Sequence, residues 1–230
     1  MNEVKSELLV KERQLVIPGE PLATGLDFLP SQGSFRDENQ IKSKILGLSR
    51  VKERFVSVIP LAGVYIPKPR DGVIGFVEDM QTTMWIVNIN SPYTAILLLG
   101  EAVGEYVDLN KTDISVYYDI GDVIYSKVLS VSKTKRVQLT MDDQRTRKLI
   151  GGRLLRITPS KVPRVIGKAG SMIELIKDKT KCQIIVGQNG IIWIKGDNEA
   201  LATKAVLTIE RDSHTTGLTD KISLLLEKGE

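Results

Sequence analysis

The chain has 230 residues, of which 42% are hydrophobic and 26% are charged, and its formal net charge is +4. This composition excludes a wholly disordered chain, and the length suits two or three small domains, since domains commonly contain about 100 to 150 residues. No apolar run approaches the roughly 20 residues of a transmembrane helix, and charged residues interrupt residues 1–10, so no signal peptide is expected. The single cysteine, Cys182, excludes an intramolecular disulfide and a four-cysteine zinc site, so we expect a reducing, intracellular setting. The cytoplasm is the expected compartment, and no cofactor is expected.

Basic residues are concentrated in the C-terminal part of the chain. From Arg145 onward there are 16 Lys and Arg against 9 Asp and Glu, whereas residues 1–144 carry 16 against 19. A solvated charged face would normally mix both signs, so an acid-free basic stretch favours a surface that faces the phosphates of a nucleic acid. The stretch contains Arg145, Arg147, Lys148, Arg153, Arg156, Lys161, Arg164 and Lys168.

The first segment, residues 1–69, predicts a small β domain. Short apolar runs at residues 15–17 and 55–61 end in turn residues, which indicates short strands. Residues 30–40 lack a helical apolar period and are rich in Gly, Ser, Asp and Asn, so they predict an exposed loop. Pro67 and Pro69 favour extended backbone and mark a boundary. Because the segment combines short apolar strands with no RNA motif, we expect it to dock to proteins.

The second segment, residues 70–144, predicts a five-stranded barrel. Along residues 123–131 the odd and even positions form two faces, neither of which is cleanly polar, as expected where one face is buried and the other is used. Five short strands in about 70 residues suggest an OB-type barrel, whose strands and loops commonly bind single-stranded nucleic acid. The predicted strands are residues 73–77, 84–89, 94–99, 123–131 and 136–141.

Three stretches of this segment resemble an S1 RNA-binding domain: residues 72–77 (GVIGFV), residues 121–124 (GDVI) and residues 135–140 (KRVQLT). The second strand departs from the family, because TTMW replaces its usual glycine–aromatic pair. Trp85 and Tyr93 are aromatic residues that could stack on bases here, with the barrel core as the alternative. At a predicted hairpin, three cations either contact the RNA backbone or protect a sheet edge: Lys133, Lys135 and Arg136.

The third segment, residues 145–230, predicts a type I KH domain with a C-terminal helical tail. The order is a strand at 154–157, a short helix, a glycine loop, a helix at 171–179, strands at 183–186 and 191–195, and a helix at 198–209. This βααββα order is that of the type I KH fold. The loop reads Gly167-Lys168-Ala169-Gly170.

Each part of the glycine loop suits an RNA backbone. Gly167 and Gly170 allow close approach to the main chain, and amides at the start of the following helix add partial positive charge. Lys168 adds a full charge, and Ile166 could line an apolar groove with Ile184 and Ile185. The alternative is a simple turn between two helices. We assign to the RNA site Lys161, Arg164, Ile166, Gly167, Lys168, Ala169 and Gly170.

Other motifs in this segment and before it predict structure rather than chemistry. Residues 187–190 (GQNG) predict a hairpin turn, and Trp193 predicts a core residue. His214 lies in a polar stretch and is expected at the surface. Asp142 and Asp143 are consecutive and so point to different faces, and two-metal nuclease chemistry would need further carboxylates. Capping or solubility is the better interpretation. We therefore expect no enzyme activity.

The domain order and several short stretches resemble one family over nearly the whole chain, the S1–KH RNA-binding cap subunits of the archaeal exosome, orthologues of ribosomal-RNA-processing protein four. The resemblance implies that three copies sit on a hexameric ring of RNase PH-like subunits, with N-terminal domains docked and S1 domains around the pore. The ring would degrade RNA by phosphorolysis, and the cap would capture single strands and feed 3′ ends inward. The short stretches that carry this resemblance are residues 16–20, 58–61, 65–67, Trp85 with residues 88–93, and residues 187–193.

Two alternatives share S1 and KH modules. Polynucleotide phosphorylase carries them in reverse order behind two long catalytic domains, which this chain lacks. A free-standing protein of translation or RNA chaperoning is the other alternative, but it would not need the apolar, proline-containing N-terminal segment.

Overall fold

The computed structural model describes residues 6–104, 107, 113–213, 215 and 217–228. The chain divides into two compact units, Met1–Gly63 and Val64–Glu230. Within the described residues, no helix combines the length and apolar character needed to cross a bilayer. The division lies slightly before the boundary predicted at Pro69, and Tyr65 packs in the core of the second unit.

The N-terminal unit consists of two four-stranded sheets, one in the order β1-β3-β6-β5 and the other in the order β2-β7-β8-β4. Its buried core contains Val16, Leu22, Ile41, Val56 and Val58. The strands are β1 (Glu7–Leu8), β2 (Leu15–Val16), β3 (Pro21–Thr24), β4 (Leu29–Pro30), β5 (Ser34–Asp37), β6 (Gln40–Ser43), β7 (Gly47–Lys52) and β8 (Phe55–Pro60).

The prediction that residues 30–40 form a loop is wrong, because β5 lies among them and pairs antiparallel with β6. β5 is an edge strand, and none of its residues is fully buried, so its sequence has no apolar alternation to reveal it. Arg36 holds it in place by donating to the carbonyls of Gly25, at 3.0 Å, and Phe28.

The second unit begins with the predicted closed barrel, and all five predicted strands are confirmed. β13 pairs in parallel with β11 and antiparallel with β12, which closes the sheet β11-β10-β9-β12. β14 (Arg147–Leu149) extends it by pairing with β12. The barrel elements are β9 (Gly72–Gln81), β10 (Met84–Asn88), β11 (Ala95–Leu98), the short helix α1 (Leu99–Ala102), β12 (Val123–Val131) and β13 (Val137–Thr140).

The KH part has the predicted order and type. Its sheet runs β15-β17-β16 with antiparallel pairs. One sheet face packs on the helices, where Ile192 and Ile194 meet Val165 and Ile176. α5 contributes Leu218, Ile222 and Leu226 to this core, so the helical tail is integral to the fold. The elements are β15 (Arg153–Arg156), α2 (Val162–Ile166), α3 (Ser171–Thr180), β16 (Gln183–Val186), β17 (Ile191–Lys195), α4 (Glu199–Arg211) and α5 (Leu218–Lys228).

The other face of the KH sheet packs directly on the barrel. Ile191 and Trp193 of β17 form a buried cluster with Ile74 of β9 and Leu149 of β14. Half-buried side chains from both sides, among them Tyr125, surround this cluster. Trp193 is therefore buried as predicted, but in a core that the two folds share.

The GQNG turn locks this shared core with hydrogen bonds. The fully buried Asn189 donates from Nδ2 to the carbonyls of Ile74, at 2.7 Å, and Ile89, at 2.8 Å, and its Oδ1 accepts from the Ile74 amide at 3.3 Å. The Gln188 amide donates to the Gly72 carbonyl at 2.8 Å. Gly190 has a φ of +82°, and a Cβ there would collide with a backbone carbonyl. The predicted turn therefore also joins the KH sheet to the barrel through hydrogen bonds.

We expect Asn189→Ala to destabilise the Val64–Glu230 unit by about 2 to 4 kcal/mol, because it leaves several buried backbone groups without partners. Denaturant unfolding monitored by tryptophan fluorescence measures the loss. Gln188→Ala is the matched control, since only the Gln188 backbone bonds to the barrel. We expect the free energy of unfolding of this variant to change by no more than about 0.5 kcal/mol. Equal losses in the two variants would show that the Asn189 amide does not hold the seam.

Candidate nucleic-acid interface

The glycine loop is a bare, tightly turned connection between α2 and α3. Gly167 adopts φ 77° and ψ 178°, and Gly170 adopts φ 85°. A Cβ on Gly167 would lie 2.7 Å from the Met172 Cβ, so only glycine fits there. Lys168 and Ala169 are exposed at the tip, and Ala169 is in the left-handed region with φ 51°. The main chain is thus open to a ligand backbone.

The loop also supplies positive potential. Helix α3 begins at Ser171, and Gly170 has no side chain to cap its first turn. The positive end of the helix dipole and the Lys168 ammonium therefore lie at the same place on the surface, which suits a phosphate.

Two of the predicted contacts before the loop have internal partners. The Lys161 ammonium donates to the Glu210 carbonyl at 2.9 Å, and the Arg164 guanidinium donates to the Thr215 carbonyl at 3.0 Å. Both carbonyls come from the end of α4 or just after it. These side chains connect α2 to that region while keeping their charges, so their role toward RNA stays a prediction.

The predicted apolar groove is wrong in two of its three members. Ile166 is half-buried against the KH core, but Ile184 is 4% exposed inside that core. Ile185 pairs opposite Trp193 and packs on the barrel side of the sheet. Strand alternation sends these neighbours to opposite faces, and both faces of this sheet are covered.

The barrel carries a groove of about 820 Å³ that sequence reasoning located only in part. It runs over the outer face of β10 and β11 and ends at the hairpin between β12 and β13. In OB folds this strand face and this loop commonly bind oligonucleotides. The lining includes Met84, Ile86, Tyr93, Ile96, Lys135 and Arg136.

Tyr93, Lys135 and Arg136 are thus brought together in the groove, as predicted candidates for contact. The Lys135 Nζ lies 5.9 Å from the centroid of the Tyr93 ring. Lys133 is exposed on the same hairpin. The apolar members of the groove were missed, although their alternation with buried Trp85 and Leu97 was the signal that could have found them.

Trp85 is withdrawn from the RNA contacts, because it lies in the barrel core. Its side chain is 0% exposed, and its Nε1 donates to the Tyr118 carbonyl at 2.8 Å. The Tyr118 ring packs edge-on against it, with centroids 5.4 Å apart. Burial, with a contribution from Asp122, raises the pKa of Tyr118 and keeps its phenol neutral. A base has no access to the Trp85 ring.

The adjacent acidic pair has a structural role in part. Asp143 forms an ion pair with Lys127 and accepts from the Arg145 amide at 3.0 Å. The hydrogen bond from Lys127, followed by that from Arg145, lowers the pKa of Asp143. Asp142 is exposed. His214 lies outside the described residues, and among the described ones no group of three or more His, Cys, Asp or Glu side chains could hold a metal ion.

Comparison with known proteins identifies two regions of the chain. Residues 13–62 match the model of the exosome RNA-binding protein RRP4 N-terminal domain. Residues 152–200 match the KH domain model. Exosome complex component Rrp4 of Methanothermus fervidus is 46% identical over 217 residues, covering 94% of this chain and 96% of the relative. The chain belongs to the Rrp4 family.

Other Rrp4 relatives agree along most of the chain. Exosome complex component Rrp4 of Thermococcus kodakarensis is 45% identical over 225 residues, which cover 96% of this chain and 87% of that relative. The crystal structure of an exosome complex RNA-binding protein aligns with a TM-score of 0.68 at 34% identity. The alignment covers 73% of this chain and 97% of the chain in that structure. The Rrp4 fold of a small β domain, a barrel and a KH domain is thus present in this chain.

We expect Lys168→Asp combined with Ala169→Asp to weaken RNA binding without unfolding the KH fold. Aspartate tolerates the left-handed backbone at position 169, and surface changes usually alter stability by within about 0.5 kcal/mol. If two phosphate contacts are lost, the plot of log affinity against log salt should become shallower by about 1.4. Fluorescence anisotropy with an unstructured RNA at several salt concentrations measures both quantities.

The matched control is Ala200→Asp combined with Lys204→Asp, which makes the same substitutions at two exposed positions of α4. We expect this control to bind RNA like the wild type. Equal affinity and slope in a folded loop variant and in the control would reduce the glycine loop to a turn.

Proposed function

We propose that this chain is a non-catalytic RNA-binding subunit of a cytoplasmic exosome. In this proposal it caps a ring of RNase PH-like subunits, captures single-stranded RNA and feeds 3′ ends to the ring. The observation that carries the proposal is the joining of barrel and KH fold into one unit that presents both the 820 Å³ groove and the glycine loop. The names of its relatives, exosome complex component Rrp4, support the assignment to the exosome.

The proposed RNA contacts fall into two groups. On the barrel, Tyr93 offers a ring for stacking, and the hairpin cations Lys133, Lys135 and Arg136 offer charge. On the KH fold, the glycine loop offers bare backbone and Lys168, with Lys161, Arg164 and Ile166 behind it. The first group suits bases together with phosphates, and the second suits phosphates.

An apolar row on the N-terminal unit supports docking to a protein. Leu48 of β7 pairs directly with Leu15 of β2 and Ile59 of β8, so the three side chains form a row on one sheet face. Leu15 is 56% exposed and Ile59 is 40% exposed. Contiguous exposed apolar surface is typical of protein interfaces. We assign this row, the docking row, to contact with the ring, with three cap copies on a hexamer.

Catalysis is assigned to the ring and not to this chain. Asp143 is committed to Lys127, and its lowered pKa keeps it ionised, which does not suit a proton donor near neutral pH. Phosphorolysis by the ring needs no acid or base from the cap in this proposal.

The test uses the purified chain with a labelled unstructured RNA, phosphate and Mg²⁺. We expect the chain alone to bind the RNA without shortening it, and to form a complex with ring subunits that shortens it from the 3′ end. Degradation that co-purifies with the chain and disappears in Asp142→Ala or Asp143→Ala would contradict the non-catalytic assignment.

Two surface variants test the docking row in the same assay. Ile59→Asp should abolish co-elution with the ring on size-exclusion chromatography, because it places a charge in a buried apolar contact, while RNA binding by the free chain persists. Leu224→Asp is the matched control on α5, where Leu224 is 57% exposed. Assembly of the Ile59 variant at control levels would move the docking surface elsewhere.

A further inference from the structure

A second concave surface lies where the barrel meets the KH sheet. It is a cleft of about 440 Å³, which we name the seam cleft. One wall is β14 of the barrel with the residue after it. The other wall is formed by the residue after α3, the start of β16 and the end of β17. Its lining includes four cations: Arg147, Lys148, Lys181 and Lys195. No acidic side chain is part of the described lining.

The cations are placed by the fold. β14 pairs with β12 so that Leu149 enters the shared core, while Arg147 stays exposed. Lys181 ends α3 in the left-handed conformation with φ 57°. Lys195 lies directly opposite Gln183 in the KH sheet. Strand register and a helix end thus bring residues that are far apart in sequence to one cleft.

Two of the cations are held and two are open. Lys148 forms an ion pair with Asp122, and the Lys195 Nζ donates to the Ile150 carbonyl at 2.9 Å. In the part of the chain that the structure describes, Arg147 and Lys181 have no ion-pair partner, and both are exposed. The cleft therefore keeps an excess of positive charge that no described acidic group balances.

We propose that the seam cleft binds the phosphodiester backbone of single-stranded RNA. The inference rests on the proposed RNA-binding function and adds a third contact to the barrel groove and the glycine loop. A concave surface lined by one sign of charge concentrates polyanions, whereas a protein interface core is depleted of charged residues.

The contact is to the backbone and not to bases. The aromatic ring in the lining, Trp193, is only 4% exposed, and its Nε1 donates to the Gly151 carbonyl at 2.7 Å. It can offer no face for stacking. Binding in the seam cleft should therefore be independent of RNA sequence and strongly dependent on salt.

Helix α3 connects the seam cleft to the glycine loop. The loop precedes its first residue, Ser171, and Lys181 follows its last, Thr180. Ten helical residues span about 15 Å, which corresponds to about four stacked nucleotides at about 3.4 Å each. A short single strand can therefore reach both places along one side of the KH fold.

The test compares the full-length chain with Arg147→Glu combined with Lys181→Glu, using anisotropy of U12 and A12 RNA from 0.1 to 1 M salt. Loss of two contacts should make the slope of log affinity against log salt shallower by about 1.4. The ratio of wild-type to variant affinity should therefore be about 25-fold larger at 0.1 M salt than at 1 M salt. The same loss is expected for both RNAs. Lys11→Glu combined with Lys52→Glu is the control, with an equal charge change at two exposed positions.

Thermal melting first establishes that both double variants are folded. Affinity of the cleft variant equal to the control overturns the proposal, and so does weaker binding with an unchanged salt slope. Stabilisation of the wild type by inorganic phosphate that the cleft variant loses, with unchanged RNA affinity, would assign the cleft to a free anion and also overturn it. Failure of the wild type to bind RNA at all would instead reject the proposed function.

Discussion

The Asn189 side chain makes three hydrogen bonds with the backbone of the barrel, two as donor and one as acceptor, and these bonds join the barrel to the KH fold. Its side-chain amide lies between the carbonyls of Ile74 and Ile89. Ile74 lies in β9, and Ile89 directly follows β10. Around it, Ile191 and Trp193 replace water on the barrel surface with a shared apolar core. Because the amide is fully buried, a separated KH fold would expose apolar surface and leave its own turn unsupported.

A fixed seam matters for binding because it sets the distances between contact surfaces. If barrel and KH fold moved independently, each strand of RNA would have to order them on binding, at a cost in conformational entropy. With the seam closed, the barrel groove, the glycine loop and the proposed seam cleft are presented together. In the proposed function, several weak phosphate contacts on these surfaces act as one extended surface, and the second contact benefits from a high effective concentration.

Local patterns predicted most of the barrel and the KH fold. The bounds of β12, β16 and β17 agree with the predicted strands, because each is an apolar or alternating run between turn residues. The pattern failed at β5, whose edge position leaves its residues polar and incompletely buried. Trp85 shows a different limit, because a strand sequence does not say which of its faces the closed barrel buries.

Long-range pairing explains what the sequence could not predict. Asn189 and Ile74 are separated by 115 residues, and nothing local to the GQNG turn indicates its partner. The basic stretch is similar, because its members disperse in three dimensions. Arg147 lines the seam cleft, Lys161 and Arg164 bind carbonyls near the end of α4, and Lys168 lies on the glycine loop. A run of charges in sequence became several separate surfaces.

Hydrogen exchange at the Gln188 amide tests the closed seam most directly. This amide lies at the tip of a hairpin and donates to the Gly72 carbonyl at 2.8 Å, so its protection depends on contact between the two folds. We expect it to exchange as slowly as the buried strand amides of β17, through unfolding of the whole Val64–Glu230 unit. Exchange as fast as that of the Lys135 amide, in the exposed hairpin between β12 and β13, would show that the barrel and the KH fold separate in solution.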